Sequence, residues 1–146
     1  MKHKELILVV DDEVNVRRVL GAMLEQAGYR TTRASSGEEA LQLVRSQDPD
    51  LVLTDLKMSG MDGLDLLKRL RADFPEIPVV LLTGNSGQQA RLEGLEGGAD
   101  DYITKPFDKD LLLARVQNIL KSRTTLQKYF YNTITFGKTA YKVAPE

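Results

Sequence analysis

Short apolar runs alternate five times with stretches whose apolar residues recur at helical spacing, and that alternation leaves the chain few possible folds. The runs are Leu6-Ile7-Leu8-Val9-Val10, the more polar Tyr29 to Ala34, Leu51-Val52-Leu53-Thr54, Pro78 to Thr83, and the short Asp101 to Thr104. A continuous apolar run is what a strand covered on both faces requires, as in a parallel sheet between helical layers. The first helical stripe is Val16, Val19, Leu20, Met23, Leu24 and Ala27, stopped by Gly28. The second is Ala40, Leu41 and Val44, behind Ser36 and Glu39 at capping-box spacing. The third opens at Gly63, carries Leu66, Leu67 and Leu70, and ends before Phe74-Pro75. A fourth helix, α4, is expected to run to about Glu96 on a thin face of Ala90, Leu92 and Leu95, loosened by Gly94, Gly97 and Gly98. A fifth, α5, carries Leu112, Val116, Ile119 and Leu120.

This pattern predicts an α/β protein with a doubly wound, five-stranded parallel sheet and five helices. The first and third runs are the most apolar and belong in the middle of the sheet, with Tyr29 to Ala34 at an edge. The order 2-1-3-4-5 satisfies this and puts the topological switch point between strands one and three. At 146 residues the chain suits one domain with a substantial core. It has no cysteine, which excludes disulfides and thiolate metal sites. Its one histidine, His3, rules out histidine-based zinc sites and argues against a Ser-His-Asp triad. No apolar run approaches the ~18 residues of a membrane span, and no secretory h-region is visible. No membrane association is expected, and a cytoplasmic location is the default.

Chemistry gathers at the carboxyl ends of the strands, where open α/β sheets bind ligands. Asp11-Asp12-Glu13 follows the first, Asp55 closes the third, Thr83 closes the fourth, and Lys105 follows the fifth. Three clustered carboxylates need a cation to stay ionised together. Hard oxygen ligands without His or Cys favour Mg²⁺ or a similar divalent ion. Lys105 adds a mobile point charge and Thr83 a hydroxyl donor. Together they suit phosphoryl transfer to a carboxylate oxygen, with ionised Asp55 as its own nucleophile.

The segments Val9-Val10-Asp11-Asp12-Glu13, Asp55 with Met61-Asp62-Gly63, Leu82-Thr83-Gly84, and Tyr102-Ile103-Thr104-Lys105-Pro106-Phe107 resemble the receiver domain of two-component response regulators. The resemblance runs from about Glu5 to Ser122 and implies a flavodoxin-like fold. It implies that Asp55 accepts a phosphoryl group from a sensor histidine kinase or a histidine phosphotransfer protein. It further implies that Asp11, Asp12, the Asp55 side chain and the Lys57 backbone carbonyl hold Mg²⁺, that Thr83 and Tyr102 form the switch pair, and that Lys105 contacts the phosphate. Such a domain assists its own phosphorylation and dephosphorylation without being a conventional enzyme. Ser59 departs from the family, which commonly has proline there.

The expected output follows from a new dianion at Asp55. Thr83 moves towards it, Tyr102 rotates inward, and the α4-β5-α5 face changes, where β5 is the fifth strand, Asp101 to Thr104. Homodimerisation through that face is a further expectation. Residues 1–122 are expected to form the receiver and residues 123–146 an extension or linker towards a missing output module. From Lys121 onward, five cations face one carboxylate, a local balance of +4 within a net charge of −1. Tyr129-Phe130-Tyr131, Phe136 and Tyr141 make this segment densely aromatic, with a short strand expected at 132–136 and a helical continuation at 125–127. It contains no recognition helix, so no direct nucleic-acid binding is expected. Two alternatives are an Asp-nucleophile phosphohydrolase of the haloacid dehalogenase type and a degenerate receiver that only binds. The adjacency of Asp11 and Asp12 argues against the first, and intact Asp12, Asp55, Thr83 and Lys105 against the second.

Overall fold

The computed structural model of the chain describes residues 4–84, 93 and 95–122. Its strands are β1 (Leu6–Val10), β2 (Arg30–Ala34), β3 (Leu51–Asp55), β4 (Val79–Thr83) and β5 (Asp101–Thr104). They form one parallel sheet in the order β2-β1-β3-β4-β5. The helices are α1 (Val14–Gln26), α2 (Gly37–Gln47), α3 (Gly63–Asp73) and α5, residues 109–122. Most of the expected α4 and all of 123–146, with the expected strand and helical continuation there, lie outside the described residues. Residues 93, 95 and 96, at the end of α4, are helical.

Successive side chains of each apolar strand serve different cores, because a strand repeats every two residues. Leu8, Val10, Val52, Val79 and Leu81 pack with Leu41 and Val44 of α2 and with Leu66, Leu67 and Leu70 of α3. Ile7, Val9, Leu51, Leu53, Val80 and Leu82 face the other way, towards Leu20 and Leu24 of α1 and Leu112, Val116 and Leu120 of α5. Two cores back to back therefore account for the absence of polar alternation in β1, β3 and β4. Strand β2 lies at the edge, which explains its mixed composition.

The helix ends are set locally. Gly28, at φ 102°, turns the chain out of α1 in a conformation that side chains with a Cβ disfavour. Ser36 caps α2 by accepting from the Glu39 amide at 3.1 Å, but Glu39 reaches back to the Ser35 amide and hydroxyl, one residue earlier than a capping box requires. A complete capping box instead starts α3, between Asp62 and Asp65. Val19, expected on the buried stripe of α1, is 52% exposed, because the helix touches the sheet mainly through Leu20 and Leu24. Among the described residues, no helix is long and apolar enough to cross a membrane.

Candidate functional site

Strand register brings the acids together. Val10 pairs with Thr54, and Asp55 pairs with Leu82, so Asp11 and Asp55 leave adjacent strands at the same edge of the sheet. Thr83 pairs with Thr104, and the Lys105 amide donates to the Thr83 carbonyl at 2.6 Å, bringing β5 to the same edge. The Lys105–Pro106 peptide is cis. Asp11, Asp12 and Asp55 each offer a carboxylate oxygen, and these atoms lie within 4.8 Å of one another. Asp11 is buried, at 1% exposure, whereas Asp12 is open to solvent. The Asp55 side chain retains 12% exposure.

Lys105 lies between the acids. Its Nζ stands 3.3 Å from Asp11 Oδ2 and 3.3 Å from Asp55 Oδ1. Burial pulls its ammonium towards neutrality, but the charges of Asp11 and Asp55, with their hydrogen bonds, outweigh it and raise the pKa overall. The Asp55 carboxyl is pushed above its usual range, first by burial and then by the Asp11 charge. Lys105 and the Leu56 amide pull it back only part of the way. One ammonium therefore does not balance the cluster. The hard carboxylate oxygens and the uncompensated negative charge fit a small divalent cation, and Mg²⁺ suits that donor set.

The raised Asp55 carboxyl has a consequence for stability. Without Mg²⁺, the folded protein keeps a proton on Asp55 at pH values where the unfolded chain has lost it. This group thus lowers stability as pH rises from the ordinary carboxylate range through the raised value, and remains destabilising above it. Asp55→Asn is expected to raise the urea midpoint at neutral pH in Mg²⁺-free buffer and to flatten its decline with rising pH. Unfolding curves of both proteins across the acid-to-neutral range check this, and an identical pH slope in the two would contradict it.

Thr83 is buried at the end of β4. The Tyr102 side chain, expected to rotate inward on phosphorylation, is 8% exposed and already packs in the core shared with α2 and α3. Lys57 follows Asp55 in the β3–α3 loop with an exposed side chain. Several contacts at this edge carried no sequence signal. Arg17, on the polar side of α1, donates from Nη1 to the Asp11 carbonyl at 2.7 Å. The Ser59 amide, a donor that proline would lack, lies 3.4 Å from Asp12 Oδ2. The Gly63 amide donates to the Leu56 carbonyl at 2.8 Å, drawing the start of α3 against the end of β3. Arg17 and Ser59 meet their partners through backbone atoms, which residue spacing does not reveal.

A parallel sheet with an acidic pocket and a lysine at its carboxyl edge defines a phosphate-handling α/β domain with the topology of small signalling proteins. The chain belongs to the response regulator receiver domain family, whose profile matches residues 7–117. It is 43% identical over 119 residues to the response regulator MprA of Mycolicibacterium vanbaalenii, covering 82% of this chain and 51% of that protein. It is 39% identical over 117 residues to the phosphate regulon transcriptional regulatory protein PhoB of Pseudomonas aeruginosa, covering 79% and 51%. A CheY-like response regulator receiver domain protein from Methanospirillum hungatei superposes with a TM-score of 0.81 at 28% identity, over 84% of this chain and 98% of that one. The chain spans about half the length of the curated relatives it matches.

Proposed function

We propose that this domain is a phosphorylation-controlled signalling switch in which Asp55 accepts a phosphoryl group from a phosphohistidine on a sensor histidine kinase or a histidine phosphotransfer protein. One observation carries this reading: the Asp11, Asp12 and Asp55 carboxylates converge at the carboxyl edge of the sheet, with Lys105 Nζ 3.3 Å from two of them. An Asp55 carboxylate oxygen attacks phosphorus, the phosphorus–imidazole nitrogen bond breaks, and the imidazole leaves with the bonding pair. Phosphoryl transfer depends chiefly on positioning and charge neutralisation, so no side-chain base is required. Mg²⁺, held by Asp11, Asp12, Asp55 and the Lys57 carbonyl, would offset charge on the phosphoryl oxygens. Lys105 transfers its ammonium from the carboxylates to a phosphoryl oxygen, and the Thr83 hydroxyl donates to another. These residues assist the transfer and the later dephosphorylation, in which water takes the phosphoryl group and the Asp55 carboxylate is released, rather than turning over a separate substrate.

We infer that phosphorylation draws Thr83 towards the new dianion and biases the Tyr102 ring inward, towards the core it shares with α2 and α3. The bias passes to the α4-β5-α5 face, through which two copies pair. Residues 1–122 form the receiver, and residues 123–146 lead towards an output module. Relatives of about twice the length that are named as transcriptional regulators support that division. Any contact with DNA belongs to that module. The site of action in this reading is cytoplasmic.

The decisive experiment incubates the chain with a small acyl phosphate and Mg²⁺ and reads intact mass. One phosphoryl adduct is expected on the parent protein and none on Asp55→Asn. An adduct of equal yield on Asp55→Asn would overturn the assignment.

A further inference from the structure

Asp11 is held at four points. Its amide donates to the Ala34 carbonyl at 3.1 Å, and its Oδ1 accepts from the Glu13 amide at 2.9 Å. Its Oδ2 accepts from Lys105 at 3.3 Å, and its carbonyl oxygen accepts from Arg17 Nη1 at 2.7 Å. The Arg17 bond is the shortest of the four and is charge-assisted, a class roughly twice as strong as neutral hydrogen bonds. It also falls at a distinctive place. Strand β1 ends at Val10, and the Asp11 carbonyl belongs to the peptide that joins Asp11 to Asp12. Ala34 holds one side of residue 11 and Arg17 the other. Arg17 therefore bears directly on the tilt of that peptide, and with it on the direction in which the Asp12 side chain leaves the backbone. Asp12 is exposed and is tied by a long 3.4 Å contact to the Ser59 amide, so it gains little orientation from its own carboxylate. The backbone of Arg17 is fixed in turn by its amide, which donates to the Glu13 carbonyl at 3.1 Å in the first turn of α1.

We propose that Arg17 is a positioning residue for the cation pocket, fixing the Asp11–Asp12 peptide so that both carboxylates meet one Mg²⁺. The inference rests on the reading of Asp11, Asp12 and Asp55 as the cation site. Charge alone would give the opposite sign. A guanidinium near a divalent cation repels it, so a purely electrostatic Arg17 would weaken Mg²⁺ binding and its removal would tighten it. A positioning Arg17 strengthens binding, and its removal weakens it.

Titration of the 146-residue chain with Mg²⁺ alone, followed by the amide shifts of Asp12, Glu13 and Ser59 in ¹H–¹⁵N spectra, separates the two. Arg17→Met is expected to raise the dissociation constant about tenfold or more, the usual effect of losing an outer-shell partner. Arg17→Lys keeps the charge but loses the planar fork, and is expected to weaken binding by a smaller factor. Spectral dispersion reports folding, and the lysine variant carries the test if the methionine variant unfolds. Labelling by acyl phosphate, extrapolated to saturating Mg²⁺, is expected to return to within about twofold of the parent, because the lost interaction acts on cation binding and not on the transfer step. Unchanged or tighter Mg²⁺ binding in a folded variant overturns the positioning role. A parent protein with no Mg²⁺-dependent shifts overturns the cation site itself and the role of Arg17 with it, so the two failures are distinguishable.

Discussion

Exchanging Lys105 for methionine is expected to slow phosphoryl labelling of Asp55 on the order of a hundredfold at saturating Mg²⁺, the usual loss when one preorganised donor to developing charge is removed. The same change leaves buried Asp11 and half-buried Asp55 without the ammonium that stands 3.3 Å from each. Breaking a buried pair from one side costs about 3–5 kcal/mol. Lys105 keeps a quarter of its side chain in solvent, so a loss of about 1–3 kcal/mol is the reasonable expectation here. Mg²⁺ should restore part of this stability, because the variant keeps all three carboxylates and loses the cation that competes for them. Intact-mass time courses give the rate, and thermal unfolding with and without Mg²⁺ gives the stability. Near-parent labelling would remove Lys105 from the transfer step. A stability loss that Mg²⁺ leaves untouched would argue that the ammonium serves packing and not charge balance. Lys105→Arg is not a neutral control, since a planar fork cannot replace a point charge held between two carboxylates.

Gly63→Val is expected to destabilise the protein by about 1–3 kcal/mol, the range for overfilling a packed site, and to slow Asp55 labelling with it. A Cβ at this buried position would collide with the Asp55 carbonyl oxygen and lie 2.8 Å from Leu56 Cα. Both are backbone atoms of the segment that carries Asp55, so neither can rotate aside. Relief requires α3 to withdraw from the end of β3, which breaks the 2.8 Å bond from the Gly63 amide to the Leu56 carbonyl and shifts the loop bearing Lys57. Gly63→Ala should act in the same direction with a smaller effect. Gly84→Ala is the matched control. Among the described residues a Cβ there meets nothing within 4 Å, and a stability change within about 0.5 kcal/mol is expected. Urea unfolding of the three variants measures the difference. Equal stability of Gly63→Val and the parent would mean that α3 is free to shift without cost.

The reach of the sequence can be judged residue by residue. Leu6 to Val10 and Val79 to Thr83 carry no polar alternation, as strands with helices on both faces require, so the layered sheet is legible in the pattern, and the order 2-1-3-4-5 satisfies it. Asp11, Asp55 and Thr83 could be assigned to one edge on the same ground, because strand direction in a parallel sheet places every carboxyl end together. Periodicity reports which side of an element is apolar, and nothing about how closely two elements approach. Val19 sits at helical spacing yet is half exposed, because α1 meets the sheet along a line narrower than its apolar stripe. Tyr102 reads as a half-buried aromatic on a short strand, but its near-complete burial depends on the space left beside α2 and α3. The meeting of Lys105 with both Asp11 and Asp55, the hold of Arg17 on the Asp11 carbonyl, and the contact of Gly63 with the Asp55 backbone each join residues separated in the chain at distances of a few ångströms. Such contacts depend on sheet twist, on the depth at which α1 and α3 sit, and on backbone atoms that every residue shares. Only the assembled tertiary structure specifies those quantities.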